Sequence, residues 1–281
     1  MQRIKLLTVC LFIYFIQLNG AAADGKLITT SGLNQIEGSG GGGIVPWATL
    51  SGYDTRDEFS VNVFASQVNA DDYRLHVWGA NMGLFDRVEV SLARQNFALS
   101  TLGGEITQNV AGLKARLYGD VIYSDWPQIS LGLQHKKLLD SDIAKAVGAD
   151  RSGSGTDYYL AMTKVHLNAI SGFNFLWNFT ARATRANQLG LLGYGGVNND
   201  DYEVMLEGSL GLLLNRNIAV GMEYRQKPDN LALKEEDWRD YFISYMPSKD
   251  ISLTLAWTEL GDIAGAKNQN GLYVSMTGNL W

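Results

Sequence analysis

The sequence predicts an all-β protein: a transmembrane, up-and-down antiparallel β-barrel of about twelve strands. The first reason is that most stretches after residue 57 alternate apolar residues with small, polar or charged ones. A period of two is typical of strands, because successive side chains point to opposite faces. The second reason is that short and long connections alternate along the chain. Barrels that span the outer membrane of bacteria show this pattern, with short periplasmic turns and long outer loops.

The N-terminus is typical of a secretory signal, which we place at residues 1–23. A charged start (Arg3 and Lys5) and a short apolar run precede a small-residue cleavage site at residues 21–23. The only cysteine, Cys10, lies inside this segment, so the exported chain would contain no disulfide. That chain would be more acidic than the −6 of the full sequence, which argues against nucleic acid as a partner.

A glycine-rich segment, residues 24–56, separates the signal from the predicted barrel at residues 57–281. Residues 38–43 (GSGGGG) match the spacing of a dinucleotide-binding loop, but Pro46 and Trp47 follow where such a site needs a helix. We expect this segment to be a tether, a plug inside the barrel, or two additional strands. The last alternative would raise the count to about fourteen strands.

The clearest hairpin covers residues 201–226 and turns at Asn215-Arg216-Asn217. On its first strand, leucines alternate with Glu203, Glu207 and other small or polar residues. The second strand alternates in the same way. An apolar face opposite a polar face would fit either a soluble sandwich or a membrane barrel.

The number of strands favours the membrane. A barrel of about twelve strands encloses a lumen too wide for ordinary side chains to fill, so its polar face belongs inside and its apolar face against lipid. Tryptophans and tyrosines recur near strand ends, where they suit the two membrane interfaces. The sequence therefore predicts a protein of the Gram-negative outer membrane, with membrane lipid as its partner.

Charged residues on the polar faces are predicted to line the lumen, because Lys or Arg facing lipid costs about 2–4 kcal/mol at the midplane. Basic residues come mainly from early strands and acidic residues mainly from later ones. The predicted lumen residues are Arg74, Arg87, Lys114, Arg116, Arg182, Glu203, Glu207, Glu223, Arg225 and Asp240. A basic arc facing an acidic arc would set up a field across a narrow pore that passes or binds small polar solutes. Alternatively, these charges pair with one another and close the lumen.

Two stretches carry a resemblance to known proteins. They are GSGGGGIVPWATLSGY, at residues 38–53, and DRVEVSLARQ, at residues 86–95. With the strand pattern, they resemble bacterial outer-membrane β-barrels, and in particular an uncharacterised family of exported Gram-negative proteins. The resemblance implies the barrel fold but no activity.

The sequence predicts that the protein is not an enzyme. Barrel phospholipases share a His-x-Ser pair, and no serine stands two residues after His76, His135 or His166. Asp71 and Asp72 near His76 are only faintly similar to the site of barrel proteases. We also expect no metal site and no cofactor, because three scattered histidines and no exported cysteine offer no ligand set.

A third class of function is adhesion or assembly. The loops at residues 138–155 and 227–236 are long enough to present a surface or to fold into the lumen. Neither contains a recognisable binding motif. The sequence leaves open which solute is bound, and also the oligomeric state.

Overall fold

The computed structural model describes residue 26 and residues 33–101, 103–233 and 235–280. The predicted signal at residues 1–23 lies outside these residues. Within these described residues, twelve strands follow one another. They are β1 (Phe59–Ala70), β2 (Tyr73–Leu84), β3 (Val88–Leu99), β4 (Glu105–Tyr118), β5 (Gln128–Leu138), β6 (Ser154–Ile170), β7 (Phe173–Thr184), β8 (Glu203–Leu213), β9 (Ile218–Arg225), β10 (Trp238–Tyr245), β11 (Ile251–Glu259) and β12 (Asn270–Asn279).

The strands form one closed barrel in which each is antiparallel to its neighbours in sequence, and β1 pairs with β12. Closure brings Val63 opposite Gly278 and Ala65 opposite Met276. The predicted all-β, up-and-down barrel of twelve strands is therefore confirmed, and the alternative of fourteen strands is wrong. Residues 47–53 do not join the sheet, because they are buried inside the barrel instead.

The connections separate the two ends of the barrel. One end carries turns such as Asn215-Arg216-Asn217, and the other carries the longer loops, including a short helix α1 (Asp142–Ala146) and a 3₁₀ turn (Asn187–Gly190). Within the described part of the chain, no helix is long and apolar enough to cross a membrane. We call the end with the longer loops the outer end and the end with the short turns the periplasmic end, following the usual arrangement of outer-membrane barrels.

Two faces with opposite chemistry run around the wall. Outward side chains are mostly apolar and exposed, for example Leu92, Leu131, Leu210 and Trp257. Inward side chains are mostly polar, and they are buried even where they carry a charge. An apolar belt that surrounds a polar interior is stable only when lipid covers the belt. The wall therefore has the architecture of a membrane-spanning β-barrel.

The prediction that Arg74 lines the lumen is wrong, because the inward face of β2 is the other one. Its apolar residues Tyr73, Leu75 and Val77 point inward and are buried, whereas Arg74 is exposed on the outer side of the wall. Arg74 lies near the outer end of the strand, where its Nε donates to Asn69 Oδ1 at 2.9 Å. Near the membrane interface a cation costs only about 0–1 kcal/mol, so the lipid-facing penalty that assigned Arg74 to the lumen does not apply.

The prediction that Arg87 lines the lumen is also wrong. It lies in the turn between β2 and β3 and is exposed, so it does not line the lumen. Its residue parity matches that of the buried Glu89, but a turn does not continue the alternation of the strand that follows it.

Candidate functional site

Residues 33–54, which we call the plug, occupy the lumen of the barrel. Every residue from Asn34 to Asp54 is buried. The plug folds back on itself through two bridges, Asn34 to Gly40 and Gly41 to Pro46, rather than through a regular sheet. Lys26, which precedes it, forms an ion pair of 2.8 Å with Asp86 at the end of the barrel that carries the short turns. The plug therefore enters and leaves at the periplasmic end.

Glycines allow the plug to approach the wall closely. A Cβ atom on Gly42 would lie 1.9 Å from Glu223 Oε1, and one on Gly40 would lie 2.9 Å from Glu89 Oε2. Side chains at these positions would displace the carboxylates that bind the plug backbone. The glycine run is thus explained by packing against the wall.

Glu37 is the charged centre of the plug. Its Oε2 lies 2.7 Å from Arg225 Nη1 and 3.3 Å from Arg182 Nη2, and its Oε1 pairs with Lys136. Burial by itself would raise the pKa of Glu37, but the three cations together hold that pKa well below its usual range. Glu37 is therefore an anion in the closed barrel.

Carboxylates of the wall complete the same network. Asp157 lies 2.6 Å from Lys136 and 3.3 Å from Arg182, and Glu207 pairs with both Arg182 and Arg225. All these side chains are nearly or fully buried. A buried charge is tolerated only when it is paired and hydrogen-bonded, and here the plug supplies one of the required partners.

A second contact region joins the plug to β3 and β4. Lys114 Nζ donates to the carbonyl oxygens of Gly40 at 2.7 Å and Thr49 at 2.8 Å, and it pairs with Glu89 at 3.2 Å. Glu89 in turn accepts hydrogen bonds from the backbone N–H groups of Gly40 and Ser51. One buried ion pair thus binds the plug backbone at both its donors and its acceptors.

The third contact region involves β9 and β10. Glu223 accepts hydrogen bonds from Ile44 N at 2.8 Å, from Trp47 Nε1 at 3.2 Å and from Ser209 Oγ at 2.6 Å. Asp240 is its direct partner in the register of the two strands. Asp240 is fully buried, and within the described part of the chain neither of its carboxylate oxygens has a hydrogen-bond partner.

The remaining predicted lumen residues lie near the ends of the barrel. Arg116 is partly buried at the periplasmic end, where it binds Asp86, Asp120 and the carbonyl oxygen of Gly119. Glu203 is half-buried at the first residue of β8, near the outer end. Among the residues that the structure describes, neither side chain forms a hydrogen bond with the plug.

The predicted transverse field does not match this arrangement. Lys114 and Arg182, assigned to the basic arc, lie against Glu89, Asp157 and Glu207, so their charges are neutralised locally. The sequence reasoning missed Lys136, Asp157 and Glu37. Lys136 shares the parity of Gln128 and Gln134, which could have revealed it, whereas no sequence pattern marks Glu37.

An apolar cavity lies between the plug and the outer loops. Ile36 and Ile44 of the plug face Leu189, Leu260 and Ile263 of the loops. The wall contributes Tyr73, Leu75, Phe97 and Trp238. The lumen therefore has two barriers, a polar contact between plug and wall and an apolar contact between plug and loops.

Among the described residues, no group of three or more His, Cys, Asp or Glu side chains could hold a metal ion. His135 Nδ1 bonds Thr156 Oγ1 at 2.9 Å, and His166 Nε2 accepts from Trp177 Nε1 at 3.0 Å. Both histidines are exposed on the wall rather than placed in the lumen.

A family model described as "Protein of unknown function (DUF3034)" matches residues 30–277. The chain belongs to this family. The match covers the plug as well as all but the end of the wall. No curated protein shows significant sequence similarity to the chain.

Several solved barrels are similar in architecture. The outer membrane protein Omp33 of Acinetobacter baumannii has a TM-score of 0.49 at 6% identity, covering 80% of this chain and 99% of its own. The KdgM porin has a TM-score of 0.48 at 8% identity, covering 77% and 98%. Outer membrane phospholipase A of Escherichia coli has a TM-score of 0.41 at 11% identity, covering 80% and 94%. At such low identity none of these similarities assigns an activity.

Proposed function

We propose that the protein is a gated, porin-like conduit for small solutes, and that the plug closes it in the state described here. The observation that carries the proposal is the chemistry of the contact between plug and wall. Glu37 of the plug pairs with Arg225 of the wall, and Lys114 and Glu223 of the wall form hydrogen bonds with the plug backbone. Water can replace such contacts when the plug moves, because polar groups lose little on rehydration, whereas an apolar core would resist hydration.

The inner wall would present a polar lining to the lumen once the plug has left. Ser130, Gln134, Thr163 and Thr180 all point inward and are buried beneath the plug. With the plug displaced, these side chains and the paired charges would face water. A polar lining of this kind suits small polar solutes, consistent with the expectation from sequence.

The second candidate is a permanently closed barrel that acts in structure, adhesion or assembly. It is favoured by the number of cations around Glu37, since a buried anion with three cationic partners is costly to withdraw. A hydrolase is the least favoured function, because His135 and His166 are engaged with Thr156 and Trp177 on the wall.

Single-channel conductance in planar bilayers separates the first two candidates. Three proteins are compared: the intact protein, a variant lacking residues 24–54, and Glu37→Gln. We expect the intact protein to be closed with rare openings, the shortened barrel to conduct continuously, and Glu37→Gln to open more often. A silent shortened barrel that is nevertheless folded would contradict the conduit and favour the closed barrel.

A further inference from the structure

Glu223 and Asp240 place two buried carboxyl groups side by side beneath the plug. They are directly opposite each other on β9 and β10, which brings their Cβ atoms within about 4.5–5.5 Å. Their exposed fractions are 1% and 0%. Two carboxylates this close in a buried site cannot both be ionised without a large repulsion.

Among the described residues, no cation of the lumen forms an ion pair with either acid. Arg225 lies two residues from Glu223 on the same face of β9, but it pairs with Glu37 and Glu207. On β8, Ser209 contributes a hydroxyl group, and on β11 the register partner of Asp240 is the uncharged Thr258. From β12, Tyr273 contributes a neutral phenol near Gly43. On β10 itself, Trp238 and Phe242 flank Asp240 on the inward face.

The two acids differ in their hydrogen bonds. Glu223 accepts from Ile44 N, Trp47 Nε1 and Ser209 Oγ, which are the donors expected for a carboxylate. Asp240 receives no hydrogen bond from the described residues. An ionised carboxylate without donors would be very costly at this position, whereas a protonated one can donate to Glu223.

We propose that Glu223 and Asp240 form a proton-binding site that holds one proton, carried by Asp240, while the plug is seated. The inference deepens the proposed conduit, because it names the ligand whose binding favours closure. Gly43 of the plug covers this site, since a Cβ atom on it would lie 3.1 Å from Asp240 Oδ2 and 3.6 Å from Glu223 Oε2.

Linkage gives the direction of the effect. When the plug leaves, water hydrates both acids. Each of them then ionises once the pH exceeds the ordinary carboxyl pKa of about 4. The closed state therefore binds one more proton than the open state, and raising the pH favours opening. A difference of one proton changes the ratio of open to closed protein by up to about tenfold per pH unit.

The test uses thiol labelling of the plug, which does not depend on conduction. Ser39 is buried in the plug, and Ser100 is exposed in an outer loop. Each is replaced by cysteine in a Cys10→Ser background, and labelling by a small methanethiosulfonate is measured from pH 6 to 9. The ratio of the rates at positions 39 and 100 removes the pH dependence of the reagent.

We expect this ratio to rise steeply with pH, and Asp240→Asn to make it flat at its low-pH value. The asparagine can donate to Glu223 without a titrating proton, and Asp240 accepts no bond that would be lost. Asp142→Asn, in the exposed helix α1, is the matched control and should keep the slope. Glu223→Gln should also remove the slope, but with faster labelling throughout, because it weakens the acceptor of Ile44 N.

A slope that persists in Asp240→Asn would overturn the proton site, as would a flat ratio in the parent protein. The proposed conduit fails separately. If labelling depends on pH as expected but the shortened barrel remains silent in bilayers, the proton site stands and the conduit does not.

Discussion

Glu37 Oε2 accepts a hydrogen bond of 2.7 Å from Arg225 Nη1, although 188 residues separate the two in sequence. Both side chains are buried in the lumen. The contact joins the plug to the end of β9, so the position of the plug is determined by charges on the wall. It also makes Glu37 the residue whose removal should affect the plug most.

Replacement of Glu37 by glutamine should lower the free energy of unfolding by about 3–5 kcal/mol, because Lys136, Arg182 and Arg225 lose a shared anion in a buried site. Urea titration of the refolded barrel measures the change. Glu105→Gln, at an exposed position of β4, is the control and should stay within about 0.5 kcal/mol. Equal stability of both variants would show that the plug does not depend on Glu37.

The contribution of Glu37 to the free energy of unfolding should decrease in acid. Its pKa in the folded protein is well below the usual range, despite burial, because of Arg182, Arg225 and Lys136. A lowered pKa gives stability that is fully present above the unfolded value of about 4.3 and is lost as the pH falls through the folded value. Unfolding of the parent protein and Glu37→Gln at pH 7 and pH 3 should therefore differ less at the lower pH. A constant difference would contradict the assignment of Glu37 as an anion.

Lys114→Met should destabilise the protein by about 3 kcal/mol, since it leaves Glu89 and the carbonyl groups of Gly40 and Thr49 without their cation. Lys114→Met combined with Glu89→Gln should cost less than the sum of the single changes. The coupling energy should be about 1–3 kcal/mol in a double-mutant cycle. Strict additivity would mean that the two side chains act independently.

Gly42→Ala should unseat the plug, because its Cβ would lie 1.9 Å from Glu223 Oε1. We expect faster labelling of a cysteine at position 39 at every pH. Gly153→Ala is the matched control, since no atom lies within 4 Å of the added Cβ. Slow labelling in both variants would show that the contact of the glycine run with the wall is not required for closure.

Leu131→Arg should cost about 2–4 kcal/mol when the barrel folds into a bilayer, as expected for a cation facing the lipid midplane. Leu131 is exposed on the outer face of β5, opposite Leu160 of β6. Leu139→Arg, just beyond the end of β5, is an equally exposed control and should cost less than about 0.5 kcal/mol. A similar cost at both positions would place the membrane differently.

The sequence determined the barrel, because alternation is a local property of each strand. Leu206, Leu210 and Glu207 face as their parity predicts, and the succession of turns and loops orders the strands. Where the alternation is ambiguous, the sequence of a strand does not predict which of its faces points into the lumen. Strand β2 has apolar residues at both parities, so only closure of the wall decided that Tyr73 points inward and Arg74 outward.

Only the tertiary structure decided what fills the lumen. The plug has no alternation, since it meets the wall through backbone groups and glycines rather than through one face. Glu37 therefore could not be linked to Lys136, Arg182 and Arg225 from spacing alone. The sequence predicts that Glu223 and Asp240 line the lumen, but their spacing does not predict that they lie side by side. Their direct pairing depends on the register between β9 and β10, which is determined by the closed sheet and not by either strand alone.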